Sequence, residues 1–384
     1  MIRIEDKSRC CGCTACHAVC PHDAIVMKED SLGFRYPETD MTRCTECGLC
    51  EKVCDFIVEK PAEEHDEALV VRAVRHKDSE SLSKSQSGGA FTALSDVVLK
   101  NGGVIYGAAF NTDFTVSHAR ACTPEERNAF RGSKYVQSDM GDVFRNVRKD
   151  LKAGLQVLFT GTPCQCAGLK SYIPDSLQNG LVLMDFVCHG VPSPAVWSDY
   201  IEYVAKGRKM TVADFRDKSV NGWKVHKESF VFEGGKKECR ETYKVLFYKN
   251  IMLRPSCASC PYDIYHRESD VTVADFWGIG ERIPEWDTDE GTSMLLCNSS
   301  KGKSIWTAAM DDVHSRPVLL TKEFMATKNP NMLHPARLYH ESGDFAKAYE
   351  ERGFGYVARR WGDMGWRYKA WQLKVFLRKI FGKI

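Results

Sequence analysis

Eight cysteines near the start of the chain show one spacing pattern twice. The first run has the order C-x2-C-x2-C-x3-C and is followed directly by Pro21, and the second run repeats this order with Asp55 in the proline position. The members of the two runs are Cys10, Cys13, Cys16 and Cys20, then Cys44, Cys47, Cys50 and Cys54. A repeated chelating spacing of this kind predicts two metal centres built by one short segment.

Disulfide bonds are the first alternative for so many thiols. The total of 17 cysteines is odd, and 384 residues is long for a small disulfide-stapled domain. The chain starts with MIRIEDKSRC, which is charged and lacks the apolar region of a secretory signal, and no apolar run approaches the length of a membrane span. We therefore expect a cytoplasmic protein, in which clustered cysteines bind metals or perform redox chemistry more often than they pair.

The repeated spacing is that of bacterial ferredoxins with two 4Fe-4S clusters. In that arrangement three close thiolates hold one cluster, and the fourth cysteine of each run binds the other cluster. We call the resulting ligand sets the first set, Cys10, Cys13, Cys16 and Cys54, and the second set, Cys20, Cys44, Cys47 and Cys50. Cys11 is a ninth cysteine that neither ligand set needs, and it is expected to be a bystander. Gly12 and Gly48 provide the backbone freedom that wrapping a cluster requires. The alternative is a pair of structural zinc sites, which seldom repeat four cysteines at this spacing.

The composition changes sharply after about sixty residues, which hold nine of the 17 cysteines. The segment EKPAEEHDEA, residues 59–68, is acidic and poor in large apolar residues, as expected of an exposed connector. We therefore predict a ferredoxin-type domain at residues 1–60, a larger domain at 61–310 and a C-terminal extension at 311–384. The formal net charge is only +2, so the composition predicts no nucleic-acid partner.

Short apolar runs alternate with amphipathic helical patterns in the larger domain. The predicted strands are ALVVRAV from residue 68, VIYGAAF from 104, QVLFT from 156, LVLMDFV from 181, VTVADF from 271 and SMLLCN from 293. Helical patterns include residues 91–101 and 194–207. This alternation predicts an α/β domain with a mixed sheet. The chain as a whole is then of the α+β and α/β type, with a ferredoxin-like dicluster module first and a helical tail last.

Four loops at the ends of predicted strands combine glycine, hydroxyl and cysteine residues. They are KSQSGGAFTAL at 84–94, RGSKYVQS at 131–138, FTGTPCQCAGLK at 159–170 and ADFWGIG at 274–280. Ligands of α/β sheets bind outside the carboxyl ends of the strands, so these loops are candidates for a binding crevice. Gly88 and Gly89 precede a helix whose free amides suit a phosphate. A Gly-Gly pair at such a position is more often only a turn, and the loop is neither a dinucleotide fingerprint nor a Walker loop.

Four more cysteines stand in settings that suit metal binding. Two of them have a chelating C-x2-C spacing, and the other two each come just past the end of a predicted strand, so all four are expected at one edge of the sheet. We call Cys164, Cys188, Cys257 and Cys260 the third set, which suits a further 4Fe-4S cluster or a structural zinc. The remaining cysteines are expected to be structural; they are Cys122, Cys166, Cys239 and Cys297.

Six motifs, taken in order, resemble the beta subunit family of coenzyme F420 hydrogenase/dehydrogenase, here preceded by a two-cluster ferredoxin module. They are SGGAFTAL, SKYV, GTPCQCAGLK, VCHGVPSPAVW, CASCPY and SDVTVADFWGIG. The resemblance runs from Cys10 to about Gly302. Members of that family bind FAD and a 4Fe-4S cluster, and the flavin exchanges hydride with a deazaflavin or another substrate. The resemblance implies an oxidoreductase that transfers electrons between two 4Fe-4S clusters, a third such cluster and FAD.

The resemblance also implies site residues. The third set matches the family's own cluster ligands. The loops that surround the FAD match at Ser87, Gly88, Gly89, Thr92, Ser133, Lys134, Tyr135, Thr162 and Gln165, and the same crevice is bordered by Asp275 and Gly278. Lys134 either places a positive charge near the flavin or is a solvated surface lysine. His189 is expected to be structural. No catalytic residue follows, because the hydride chemistry belongs to the cofactor.

The chain departs from the archaeal enzyme subunits of this family in two features, its own ferredoxin module and an added C-terminal region. We associate these with free-standing bacterial relatives, some of which are found with polysaccharide-synthesis proteins. No residue set in the sequence demands F420. The expected partners are therefore a small-molecule hydride donor or acceptor and a redox partner protein or ferredoxin. The alternative function is that of an electron-transfer subunit that relays electrons to a separate catalytic partner.

The segment RYKAWQLKVFLRKIFGKI, residues 367–384, contains six lysines or arginines and no acidic residue. The pattern predicts a basic amphipathic helix. Such a helix either packs on its own domain or docks on a partner or an anionic membrane surface. In the membrane case the protein would lie peripherally at the inner face of the membrane.

Overall fold

The computed structural model describes residues 1–56 and 68–362, together with positions 366 and 370. The predicted acidic connector lies outside the described residues except for residue 68, and so does the predicted basic helix at 367–384 except for position 370. No helix in the described part of the chain is both long enough and apolar enough to cross a bilayer.

Strands and helices alternate through most of the described chain. The strands are β1 Ile25–Glu29, β2 Arg35–Thr39, β3 Leu69–His76, β4 Val104–Phe110, β5 Val116–Ala121, β6 Val157–Thr160, β7 Leu181–Phe186, β8 Met210–Asp214, β9 Glu228–Phe232, β10 Lys237–Arg240, β11 Val271–Asp275, β12 Ser293–Cys297 and β13 Val313–Leu320. The helices are α1 Ala15–Val19, α2 Leu49–Lys52, α3 Ser79–Lys84, α4 Ala90–Lys100, α5 Pro124–Arg127, α6 Val143–Lys152, α7 Pro163–Tyr172, α8 Pro194–Ala205, α9 Lys218–Asn221, α10 Thr242–Tyr248, α11 Ser300–Ala309, α12 Lys322–Lys328, α13 Ser342–Arg352 and α14 Phe354–Trp361.

The central feature is an eight-stranded sheet with the order β13-β3-β12-β11-β7-β6-β4-β5. Strands β11, β7, β6 and β4 are parallel neighbours, whereas β12, β3 and β13 on one side and β5 on the other pair antiparallel. The sheet is therefore mixed, which confirms the predicted fold class. Because β13 pairs with β3, the sheet contains residues from both sides of position 310.

All six strands predicted from apolar runs are present as β3, β4, β6, β7, β11 and β12. Along β6, Val157 and Phe159 face one layer of the core while Leu158 faces the other, because side chains alternate along a strand. Burial on both faces explains why these strands read as continuous apolar runs. The strands β5 and β13 were not predicted, because polar residues interrupt the apolar pattern, His118 and Arg120 in β5 and His314 and Arg316 in β13.

Helices cover both faces of this sheet. Helices α4 and α11 pack on one face, where Leu94 and Trp306 share a core with Leu158. Helices α6 and α7 pack on the other face, where Phe144 and Leu169 share a core with Phe159. The architecture is thus a sheet between two helical layers, the arrangement that alternating strands and helices favour.

A second sheet, β10-β9-β8, joins α8, α10, α13 and α14 in an aromatic core. The ring centroids of Trp197 and Phe215 lie 4.1 Å apart, and Tyr243 contacts Trp197 edge-on at 5.0 Å. The sequence did not predict this sheet, because its strands are short and rich in charged residues. The helices α13 and α14 confirm the predicted helical C-terminal part within the described residues.

The dicluster module consists of the antiparallel hairpin β1-β2 and the short helices α1 and α2. Ala15 and Ala18 of α1 belong to the same core as Phe144 of α6, so the module packs directly on the helical layer of the large sheet. Ion pairs add to this contact: Arg35 lies 2.6 Å from Asp139 and Arg145 lies 2.5 Å from Asp23.

A buried acid in the second sheet makes the stability of the fold depend on pH. Glu228 is fully buried and accepts hydrogen bonds from the Tyr200 hydroxyl at 3.1 Å and from the Lys244 amide at 2.7 Å. Burial raises the pKa of Glu228 to about 8. In the unfolded chain a glutamic acid loses its proton at about pH 4.3. Between these two values the folded state alone holds the proton.

We expect the Glu228→Gln variant to gain stability relative to the wild type as the pH rises from about 5 to about 8. Because the folded wild type binds a proton that the unfolded chain releases, raising the pH destabilises it by up to about 1.4 kcal/mol per pH unit. Glutamine does not titrate; its Oε1 can accept from the Lys244 amide, and its Nε2 can donate to the Tyr200 hydroxyl, which reverses that hydrogen bond. Urea unfolding of both proteins at several pH values measures the difference, and a gap independent of pH would mean that Glu228 is ionised in the folded chain.

Candidate iron-sulfur and cofactor site

The two cysteine runs fold into loops with the same backbone pattern. Gly12 and Thr14 both have a φ of 71°, and the equivalent Glu46 and Gly48 have φ of 55° and 75°. Each pair brackets the second cysteine of its run, and glycine relieves the left-handed strain at only one position of each loop. The predicted roles of Gly12 and Gly48 thus agree with their conformations, while Thr14 and Glu46 adopt the same region without that help.

The first set comes together in the structure. Burial raises the pKa of the Cys16 thiol, and Cys13, Cys10 and Cys54 lie near enough to raise it further. Cys54 belongs to the second run by sequence, so its place beside the three cysteines of the first run is the crossed arrangement that ferredoxin spacing predicts. The assignment of these thiols as cluster ligands stays a prediction.

The second set encloses a small cavity nearer the surface. Its four thiols all line a cavity of about 20 Å³, together with Met1 and Leu49. Cys47 is exposed to solvent, whereas Cys16 of the first set is buried. The second set therefore forms the solvent-facing end of the dicluster module.

The third set also converges. Burial raises the pKa of the Cys188 thiol, and Cys257, Cys164 and Cys260 lie close enough to raise it further. Cys164 lies on α7 just after β6, and Cys188 follows β7. The four thiols therefore meet near the carboxyl ends of two neighbouring parallel strands, at one edge of the sheet as predicted from the sequence.

The GTPCQ motif places Cys164 in the first turn of α7. Thr162 is the N-cap: its hydroxyl accepts from the Gln165 amide at 3.4 Å, and the Gln165 side-chain oxygen accepts from the Thr162 amide at 2.9 Å. Pro163 takes the first helical position, where no amide donor is needed. This capping box holds Thr162, Cys164 and Gln165 in fixed positions.

Backbone amides donate to the sulfur atoms of these sets. The donor and acceptor pairs are Ile2 with Cys50, Ala24 with Cys20 and Val191 with Cys257, each at 3.3 Å, and Glu46 with Cys44 at 3.4 Å. Neutral thiols are weak acceptors, whereas iron-bound thiolates are stabilised by such donors. The described residues contain no group of three or more His, Cys, Asp or Glu side chains around a single metal-ion position. A 4Fe-4S cluster does not need one, because each thiolate binds a different iron atom.

Cys11 lies between the first and third sets. Its buried thiol lies beside those of Cys13 and Cys164; these neighbours raise the pKa of Cys11, and Cys11 lowers the pKa of both. Gly168 of α7 also approaches Cys13 closely, since a Cβ there would lie 2.6 Å from Cys13 Sγ. Cys11 belongs to none of the three sets, yet it contacts one member of each of two, a role that the sequence did not indicate.

A cavity of about 310 Å³ opens beside the third set. It lies past the carboxyl ends of β6, β7 and β11, where α/β sheets bind ligands. Its volume is at the lower end of the range of about 300–1,000 Å³ that is usual for small-molecule sites. Cys188 and His189 form part of its wall, so a molecule in this cavity would lie next to the third set.

Most of the residues predicted to contact FAD line this cavity. These are Ser87, Gly89, Ser133, Lys134, Tyr135, Thr162, Gln165 and Asp275. Gly88 does not, because its amide donates to Ser293 Oγ at 2.9 Å and a Cβ on it would lie 2.0 Å from the Val74 carbonyl oxygen. Thr92 is buried in α4, and Gly278 packs against Lys328. These three residues shape the loops instead of facing the cavity.

The start of α4 faces the cavity. Gly89, with a φ of 84°, caps this 11-residue helix without a side-chain hydrogen bond, and Ala90 and Phe91 line the cavity beside it. Helix N-termini with free amides favour anions. The geometry therefore agrees with the predicted phosphate position, whereas the Ser87 hydroxyl is already used in a bond to the Thr292 carbonyl at 2.7 Å.

A hydrogen-bond chain that the sequence did not reveal fixes one wall. Burial lowers the pKa of His118 to about 4, so its ring is neutral at pH 7. Its Nε2 lies 2.9 Å from the Thr160 carbonyl oxygen, which can only accept, so the proton is on Nε2. Ser138 then donates to His118 Nδ1 at 2.9 Å and accepts from the Gln165 amide group at 3.1 Å. No local motif indicates this chain, because its members come from four separate segments.

Aromatic residues form another wall. Trp277 lines the cavity and stacks on Trp223 with ring centroids 4.9 Å apart and planes 7° apart. Asp275 accepts from Trp223 Nε1 at 3.1 Å and from Arg216 at 2.5 Å. Both carboxylate oxygens of Asp275 are thus occupied, and the aspartate holds this wall in place.

Lys134 is half-buried at the cavity. Its ammonium donates to the carbonyl oxygens of Ala129 and Arg131, both at 2.8 Å, and burial lowers its pKa to about 7. Of the two interpretations of the sequence, these contacts favour a lysine held at the cavity over a solvated surface lysine.

Comparison with known proteins gives two family matches. Residues 154–317 match the family described as the C terminus of the beta subunit of coenzyme F420 hydrogenase/dehydrogenase. Residues 9–57 match the 4Fe-4S dicluster domain family. The resemblance drawn from the sequence motifs is confirmed over these ranges.

Two individual proteins are similar to the chain, one over a short stretch of sequence and one in a comparison of structures. One subunit of the Na(+)-translocating ferredoxin:NAD(+) oxidoreductase complex of Acetobacterium woodii is 41% identical over 61 residues, which are 16% of this chain and 17% of that protein. A chain in a structure of the F420-reducing NiFe hydrogenase complex from Methanosarcina barkeri, a xenon derivative, is 18% identical with a TM-score of 0.47, covering 85% of this chain and 97% of that chain.

The crossed arrangement of the first set can be tested by iron analysis. We expect Cys54→Ala to remove about four irons per chain, those of the cluster held by the first run. Adding Cys10→Ala should remove no further iron, because both residues serve one cluster, whereas adding Cys47→Ala should remove about four more. The opposite result, with Cys47 and Cys54 acting together, would mean that each run binds its own cluster.

Proposed function

Because residues 154–317 belong to the coenzyme F420 hydrogenase/dehydrogenase beta subunit family and residues 9–57 to the 4Fe-4S dicluster domains, we propose that the chain is an iron-sulfur flavoprotein oxidoreductase. The coarser statement, an iron-sulfur protein with an oxidoreductase or electron-transfer role, follows from the two matches. The finer proposal is that FAD binds in the large cavity and that the third set holds a third 4Fe-4S cluster. It assigns residues 1–60 to the clusters, 61–310 to the flavin domain and 311–384 to an extension.

One observation carries this proposal, namely that the cavity and the third set share a wall. Cys188 lines the cavity, and the Thr162 hydroxyl, which also lines it, lies 3.2 Å from Cys164 Sγ. Cys11 then contacts both Cys164 and Cys13 of the first set. The cavity adjoins the third set, and the third set adjoins the first set through Cys11, an order of neighbours that suits stepwise electron transfer.

A bound flavin would supply the conversion between two-electron hydride transfer and one-electron transfer that iron-sulfur clusters need. The residues of the chain bind and orient it. Thr162 and Gln165 are held by the capping box and by the chain through Ser138 and His118, so they present polar groups at fixed positions. Lys134 provides a positive charge that depends on pH near neutrality. Trp277 provides an aromatic surface.

We propose coenzyme F420 or another small molecule as the hydride donor or acceptor. The name of the matched family supports F420, and no residue of the cavity is specific to it. Phe186 is 42% exposed and lines the cavity, so an apolar surface lies where a planar substrate could approach. A link to polysaccharide synthesis is proposed only from the sequence resemblance.

We propose that a redox partner protein or ferredoxin meets the second set. Cys47 is exposed, and Val26 and Met41 of the same module are exposed apolar residues. The relative from Acetobacterium woodii belongs, by its name, to a ferredoxin:NAD(+) oxidoreductase complex, which supports a partner of this kind. Peripheral membrane contact through residues 367–384 is a separate proposal on residues that the structure does not describe, apart from position 370.

Cofactor content tests the proposal directly. Protein purified without oxygen should contain flavin and about twelve irons per chain, four for each of three clusters. The Cys164→Ala, Cys257→Ala double variant should lose about four irons and keep about eight. Eight irons in the wild type would remove the third cluster. Iron-sulfur clusters without any flavin would favour the alternative, a subunit that only relays electrons.

The substrate is tested by stopped-flow reoxidation of the reduced protein. An oxidoreductase with its own hydride acceptor should be reoxidised rapidly by one member of a panel that includes F420, NAD and NADP. A relay subunit should be reoxidised by proteins such as ferredoxin and by none of the small hydride acceptors. The Trp277→Leu variant serves as the control, because Trp277 lines the cavity and belongs to none of the cysteine sets, so the change should slow hydride exchange and leave reoxidation by ferredoxin unchanged.

A further inference from the structure

A single arginine sits at the junction between the dicluster module and the larger domain. Arg254 has 0% exposure, and its side chain donates to the Cys10 carbonyl oxygen at 2.7 Å, to the Arg35 carbonyl oxygen at 2.9 Å and to Gln137 Oε1 at 3.0 Å. Its Nη2 also lies 3.6 Å from Cys10 Sγ. The guanidinium therefore has hydrogen-bond partners from both parts of the chain.

None of these partners carries a formal negative charge as a carboxylate. Within the described ranges, 1–56 and 68–362, no Asp or Glu forms an ion pair with Arg254. Its other neighbours are rings, with Tyr36 at 4.2 Å and Phe34 at 5.4 Å from the guanidinium carbon to the ring centroid. Burying an arginine is costly unless an anion compensates its charge.

A second buried arginine nearby shows the usual solution. Arg267, which also lies near the third set, pairs with the buried carboxylate of Asp185 at 3.3 Å. Arg254 has no such acid. Its hydrogen bonds and aromatic contacts leave the charge without a carboxylate, which points to an anion that the side chains do not provide.

The thiols around Arg254 identify that anion. Arg254 Nη2 lies 3.6 Å from Cys10 Sγ, which belongs to the first set. The Arg254 carbonyl oxygen accepts from the amide of Cys257, which belongs to the third set, at 3.0 Å. A 4Fe-4S cluster with four thiolates carries a net negative charge, so two anionic clusters would lie on either side of this one cation.

The close approach is built into the fold. Gly12 lies between Cys10 and Cys13 with a φ of 71°, and a Cβ on it would lie 2.8 Å from Arg254 Nη1. Gln137 accepts from Arg254 and donates to the Cys11 carbonyl oxygen at 2.9 Å. The loop of the first set is therefore shaped around the guanidinium.

We propose that Arg254 is a positioning residue that serves as the shared counter-charge of the clusters held by the first and third sets. It stabilises the more negative reduced state of each and thereby raises both reduction potentials. None of its hydrogen-bond partners belongs to the second set, so the second cluster is affected least. This inference rests on the proposed function in requiring a cluster at the third set.

Potentiometric titration of the anaerobic holoprotein, followed by electron paramagnetic resonance, tests the role of Arg254. In Arg254→Gln the equilibrium constant for one-electron reduction of the clusters held by the first and third sets should fall by about tenfold, a shift of about 59 mV to more negative potential, while the cluster of the second set changes less. Arg254→Lys should keep the wild-type iron content, and its reduction potentials should lie between those of the wild type and those of Arg254→Gln. The matched control is Arg35→Gln, because Arg35 is already paired with Glu29 and Asp139 and should leave all potentials unchanged.

The outcomes separate this proposal from the proposed function. Unchanged potentials in Arg254→Gln, or an equal shift in Arg35→Gln, would overturn the role of Arg254 while the wild-type content of flavin and iron still stands. If Arg254→Gln cannot hold its clusters, Arg254→Lys decides: retained iron supports the role of the charge. Loss of iron from a folded Arg254→Lys variant to the same extent would show that Arg254 acts by shape alone. Eight irons in the wild type would instead contradict the third cluster itself.

Discussion

The convergence of thiols from distant segments is the constraint on which the rest of the structure depends. Cys54 must reach the first cysteine run, and the third set must gather residues from α7, from the end of β7 and from the segment before β11. Each convergence fixes the position of whole elements. The dicluster module is thereby held against α6 and α7, and the carboxyl ends of β6 and β7 are held beside the segment that carries Cys257 and Cys260.

Three buried ionisable sites compensate the cost of burying a charge in different ways. Asp185 and Arg267 neutralise each other, with Thr272 donating to the second oxygen of the carboxylate at 2.6 Å. Glu228 stays protonated, because burial makes its ionised form costly. Among the described residues Arg254 has no carboxylate partner; it is surrounded by backbone carbonyls, Gln137 and two aromatic rings, and Cys10 Sγ lies 3.6 Å from its Nη2. The buried positive charge without a carboxylate partner therefore lies where the first and third sets meet.

The edge of the parallel strands combines two requirements. Polar groups that face the cavity have to be fixed, and this is achieved by local capping at Thr162 and by the longer chain from Gln165 through Ser138 to His118. The aromatic wall is fixed by Asp275, which holds Trp223 and Arg216. These hydrogen bonds hold two walls of the cavity in place. A further part of its wall adjoins the third set.

The sequence by itself determined the features that local pattern encodes. The doubled cysteine spacing, the six apolar strands and the GTPCQ cap each depend on residues within a few positions of one another, and each is present in the structure. Eight of the predicted flavin contacts line the cavity; Thr162 and Gln165 do so just after β6, and Asp275 does so at the end of β11. Only the tertiary structure decided which segments meet. Arg254 beside Cys10, Cys11 between two thiol sets, and His118 beneath Gln165 join positions that are far apart in the chain, and periodicity and spacing carry no information about contacts across such separations.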